Sequence, residues 1–113
     1  MNFENKLIKG VLQPDFAGFL YRYLCMRSKI YKRTLTDGWM PTKMELYGVW
    51  GDGVINDCFS CYSDPAFEVV LSDLKKIIEH HFNTDLVETY SYTRLYQKGA
   101  VLEKHKDRSS CKY

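Results

Sequence analysis

Between Leu86 and Gln97 the chain alternates strictly: Val87, Thr89, Ser91, Thr93 and Leu95 fall on one side of an extended segment, and Glu88, Tyr90, Tyr92, Arg94 and Tyr96 on the other. A period of two over this length predicts a strand with two unlike faces. Such a strand cannot stand alone; it needs neighbours in a sheet and cover on its apolar side. Two stretches upstream can supply the cover. From Pro14, the residues Phe16, Phe19, Leu20, Tyr23, Leu24, Arg27, Ile30 and Tyr31 recur at steps of three and four, the stripe of an amphipathic helix running to about Lys32. A second stripe joins Phe67, Val70, Leu71, Leu74, Ile77, Ile78 and His81, with Asp64 as N-cap, Pro65 at the first helical position and Asn83 as left-handed terminator. The order helix, irregular segment, helix, strand predicts an α+β fold.

The rest of the chain is less periodic. Residues 34–63 read as irregular structure with short strands, Lys43 to Trp50 being the best strand candidate, and Asp37-Gly38 and Asp52-Gly53 mark turns. Leu7 to Leu12 is apolar enough for an edge strand, and Lys98-Gly99 ends the alternating segment in a turn. With 113 residues, one domain is expected, its helical support in 1–85 and its strands in 86–113. A net charge of +2 gives no electrostatic case for nucleic acid or a membrane surface as partner. No apolar run approaches the ~20 residues of a membrane span. The opening MNFENKLIKG has no apolar signal core, so a cytoplasmic location is expected, with the four cysteines as free thiols.

Three clusters bear on chemistry. In an extended segment, His105 and Asp107 leave the same face about 6–7 Å apart while Lys106 points away, so imidazole and carboxylate can converge on one metal ion. The 2-His-1-carboxylate triad of non-haem Fe(II) contains such a pair, and a solvated polar loop contains it equally well. Cys58 and Cys61 have CxxC spacing, with His80 and His81 some 20 residues on, which suggests a zinc site or, with a helix directly after it, a redox pair. Lys104, Lys106 and Arg108 make a basic cluster, either a solvated face or a contact for an acidic substrate.

The stretch Tyr90 to Cys111, YSYTRLYQKGAVLEKHKDRSSC, resembles the first core strands of the 2-oxoglutarate- and Fe(II)-dependent oxygenases, in particular the prolyl 4-hydroxylase-like proteins of marine phages and bacteria. In that superfamily a strand ends in a tyrosine, a glycine turn follows, and His-x-Asp comes nine residues after the tyrosine. Tyr96, Gly99, His105 and Asp107 stand in that register. Tyr62-Ser63-Asp64-Pro65 and Met44-Glu45-Leu46-Tyr47-Gly48 extend the likeness upstream. The resemblance implies N-terminal helices followed by the first strands of a double-stranded β-helix, or jelly-roll. It implies Fe(II) held by His105 and Asp107, and 2-oxoglutarate held by Tyr96 through its distal carboxylate. Arg94 stands where relatives place a second cosubstrate contact, usually an amide, so it either serves that contact or pairs with an acid. Tyr90 and Tyr92 continue the same face, to line the pocket or to pack. With O2 as second cosubstrate, 2-oxoglutarate is decarboxylated to succinate and a carbon of a peptide prolyl or related substrate is hydroxylated.

The family also uses a second histidine ligand and an Arg or Lys several strands later, and nothing after Asp107 supplies them. The chain is therefore expected to be the N-terminal part of a longer oxygenase domain and inactive alone. The other expectation is a non-catalytic α+β binding module, with zinc at Cys58 and Cys61 or with no metal.

Overall fold

The computed structural model describes residues 5–38 and 48–106. Two helices cover one face of a three-stranded antiparallel sheet: α1 Pro14–Asp37, β1 Val49–Trp50, β2 Cys58–Tyr62, α2 Pro65–Phe82 and β3 Tyr92–Tyr96, with strand order β1-β2-β3. The architecture is α+β, as the alternating and helical periods predict.

Both helices begin at proline, whose missing N–H leaves no donor to satisfy. Helix α1 runs past Lys32 to Asp37, where Gly38 at φ 68° turns the backbone left-handed and returns its N–H to the Thr34 carbonyl. The Asp37-Gly38 turn signal is thus a helix stop. In α2 the Asp64 carboxylate accepts from the Ala66 N–H, and Asn83 closes the last turn at φ 46°. Asp64 also accepts from the Tyr23 hydroxyl and pairs with Arg27, both on α1. One buried carboxylate thereby caps α2 and ties it to α1.

The register pairs Cys58 with Tyr96, Phe59 with Leu95, Ser60 with Arg94, Cys61 with Thr93 and Tyr62 with Tyr92. On the other side of β2, Val49 pairs with Ser60 and Trp50 with Phe59. Trp50, Phe59, Cys61 and Leu95 therefore share the face turned to the helices. They pack with Leu24, Tyr31 and Phe67 around Phe59, which is wholly buried. Burying a phenylalanine this completely contributes about 2–3 kcal/mol.

Several expectations need correcting. Leu7 to Leu12 forms no strand: Leu7 is exposed, Gly10 sits at φ 71°, and the segment is anchored by Lys6, whose Nζ donates to the His81 carbonyl and lies over the Phe82 ring. The sheet starts before α2, at Val49, so strands fall inside the stretch assigned to helical support. Of Lys43 to Trp50, residues 43–47 lie outside the described residues. Leu86 to Ser91 lies outside β3, where α2 takes two of the backbone donors of this stretch, and the Ser91 carbonyl continues the pairing by accepting from the Ser63 N–H. The Leu86 N–H donates to Glu79 and the Ser91 N–H to Glu68. His81 is exposed, and Phe82 is half-buried in its place.

Candidate functional site

The sheet face away from the helices carries a different set of side chains. Alternation puts Cys58, Ser60 and Tyr62 of β2 and Tyr92, Arg94 and Tyr96 of β3 on it, with Val49 of β1 alongside. Asp52, in the loop joining β1 to β2, reaches over this face. Its Oδ1 accepts from the backbone N–H groups of Val54 at 3.0 Å and Ile55 at 2.9 Å, which fixes the loop as a side-chain-closed turn. Its Oδ2 accepts from Arg94 Nε at 2.5 Å, the Tyr92 hydroxyl at 2.8 Å and the Ser60 hydroxyl at 3.2 Å.

Five donors on one carboxylate decide its charge state. Burial to 7% side-chain exposure works toward protonation. Hydrogen bonds from Ile55, Arg94, Tyr92 and Val54 outweigh it and hold Asp52 well below the usual carboxylate range. Burial raises the Tyr92 phenol, and the neighbouring Asp52 charge raises it further. The Arg94 guanidinium carbon lies 4.9 Å from the Tyr92 ring centre, so the arginine is held by a charge at Nε and by an aromatic face. Beside this cluster, Val49, Gly51, Asp52, Ser60, Tyr62 and Tyr92 line an open groove of about 340 Å³. Tyr62 stacks with Tyr90 at 5.0 Å between ring centres, extending the aromatic wall.

The residues singled out in the sequence separate into two places. Tyr96 and Arg94 share the helix-free face. Tyr96 is half-exposed at its end, and Arg94 is paired with an acid, Asp52. Past β3, Gly99 at φ 88° makes the turn, closed by the Ala100 N–H to the Gln97 carbonyl. His105 follows in an exposed segment outside the sheet, its Nδ1 2.9 Å from the Glu103 carbonyl oxygen, and Asp107 lies outside the described residues. Among the described residues, no three His, Cys, Asp or Glu side chains gather where they could hold a metal ion.

The CxxC pair is not a chelate in this fold. Three positions apart on β2, Cys58 faces the open side and Cys61 the core, so one ion cannot reach both without dismantling the strand. His80 and His81 are exposed on the last turn of α2, and the pair gains no redox-type helix start, since Tyr62, Ser63 and Asp64 separate Cys61 from Pro65, where α2 begins. Sequence reasoning missed Asp52 and Ser60. Asp52 reads as half of an Asp-Gly turn, and no local signal announces that its carboxylate meets a strand forty-two positions later.

Comparison of the chain with family models, with curated proteins and with solved structures returns no match. No helix among the described residues is long and apolar enough to cross a membrane.

Proposed function

We propose that the chain forms part of a 2-oxoglutarate- and Fe(II)-dependent dioxygenase of the prolyl 4-hydroxylase-like type, its sheet extended elsewhere into a double-stranded β-helix. The register of Tyr96, Gly99, His105 and Asp107 carries the reading. Two features of the fold support it. The helices occupy one sheet face and leave the other, with Tyr96 and Arg94, open to a ligand. A phenol hydroxyl beside a guanidinium is a donor pair suited to a carboxylate.

In this reading His105 and Asp107 hold the iron, and Tyr96 orients the distal carboxylate of 2-oxoglutarate. Arg94, its charge already met at Nε by Asp52, contributes a secondary contact. When bound, the iron and cosubstrates supply the oxidising power that hydroxylates an unactivated carbon. The protein's share is to orient: Tyr96 and Arg94 fix the cosubstrate, and the groove beside Tyr62 and Tyr92 receives the peptide prolyl or related substrate.

The test is anaerobic Fe(II) titration of the whole chain by calorimetry. Binding is expected to be weak, because two protein ligands are fewer than the usual three. It is expected to vanish in His105→Ala and to survive in His80→Ala. Iron binding indifferent to His105→Ala defeats the reading, and so does the absence of any iron binding.

A further inference from the structure

Helix α1 carries more apolar surface than the sheet and α2 cover. Leu20 and Leu24 are buried, Leu24 in the cluster around Phe59, but Phe16, Phe19, Met26 and Ile30 remain 41–51% exposed. With Tyr23 they fall at steps of three, four, three and four, a seam two heptads, or about four helical turns, long. The seam borders the core on one side. On the other, about a quarter turn away, lie Arg22, Lys29 and Arg33, all exposed and in no ion pair among the described residues. Two acidic residues sit near its ends, Asp15 in the first turn of α1 and Asp37 one turn after Arg33.

We infer that this seam docks an acidic amphipathic helix of another protein. The 3-4 spacing is that of helix against helix, with apolar knobs from the partner entering between Phe16, Phe19, Tyr23, Met26 and Ile30. The basic flank selects glutamate and aspartate beside those knobs. A second copy of this chain is the wrong occupant. Antiparallel seams would set Arg22, Lys29 and Arg33 against themselves, and parallel seams would need the border that is already packed against the protein. A bilayer is also a poor match, since it seats a helix with basic residues on both borders, and here the other border is packed against the protein. The exposed seam is on the order of a few hundred Å², the size that marks interaction sites on monomers. That is below the ~800 Å² per partner of a standard interface, so the charges carry a large share and the contact is reversible.

The experiment uses the whole 113-residue chain and fluorescent synthetic helices of about three heptads, with leucine at the seam and glutamate at the flanks, or lysine in place of glutamate. The glutamate peptide is expected to bind and the lysine peptide to stay free. Phe19→Ser with Met26→Ser, and separately Arg22→Glu with Lys29→Glu and Arg33→Glu, are each expected to weaken binding at least ~10-fold. The charge-reversed variant, with its helical spectrum retained, should then accept the lysine peptide. Four results overturn the inference: no binding by wild-type chain with a helical spectrum, binding unchanged in both variants, preference for phosphatidylserine vesicles over the peptide, or a dimer abolished by the seam substitutions.

Discussion

The carboxylate of Asp52 and the guanidinium of Arg94 meet at 2.5 Å from opposite ends of a forty-two-residue separation, one in a loop and one in the middle of β3. The contact joins the β1–β2 loop to the far strand of the sheet. Tyr92 and Ser60 donate to the same oxygen, so the loop is held at three points. Removing either charged partner strands the other. Asp52→Asn is expected to destabilise the fold by about 2 kcal/mol, and Arg94→Met by a similar amount, with the double variant recovering part of the sum. Urea unfolding of the four proteins checks the coupling.

The same carboxylate sets an acid limit. Its folded value lies below the ordinary one near 4, so in the interval between them the unfolded chain binds the proton and the folded chain does not. The contribution is complete above about pH 4 and drains away as the pH falls below it. Urea midpoints measured from neutral pH into the acid range should decline less steeply in Asp52→Asn than in wild type.

Gly48 stands at φ 104° against Phe59, and a Cβ there would meet the ring carbons at 2.4 and 2.5 Å. The ring cannot retreat, because Phe59 is wholly buried and packs on Tyr31 at 5.5 Å. Gly48→Ala is expected to cost about 2–4 kcal/mol, from backbone strain and overpacking together. Thermal unfolding followed by near-ultraviolet dichroism reads both the loss and the core around Phe59.

Thiol labelling should separate the cysteines by depth. Cys58 and Cys61 are buried, and burial raises the Cys61 thiol further, whereas Cys25 is partly open on α1. In a Cys111→Ser background, a disulfide reagent is expected to modify Cys25 first. Cys58 and Cys61 should follow only at the rate of unfolding. Zinc added beforehand should leave that order unchanged, since the two strand thiols face opposite ways.

Local signals found what local physics fixes. Pro14, Pro65, the Asp64 cap and Asn83 place the helices, because capping and proline geometry act within one turn. The alternation from Leu86 correctly separates Tyr92, Arg94 and Tyr96 from Thr93 and Leu95. It overstates the strand, since the donors of Leu86 and Ser91 go to Glu79 and Glu68 instead of a neighbouring strand. β2 escaped because its run CFSCY is only five residues long and buried on both faces, so no contrast of polar and apolar positions marks it. The α1 stripe was legible as apolar but not as half-exposed, since periodicity shows which residues share a face and not what covers it. Asp52 was hidden for a related reason: its partners come from distant strands.

The unlike sheet faces also have a consequence for folding. If β3 slid by one position along β2, Arg94 would enter the space filled by Leu95 beside Phe59, and Thr93 and Leu95 would turn outward. Asp52 would then lose both Arg94 and Tyr92, leaving a charge without its counterpart at the loop and another in an apolar cavity. The misaligned sheet is penalised twice, so these two residues act as a proofreading pair.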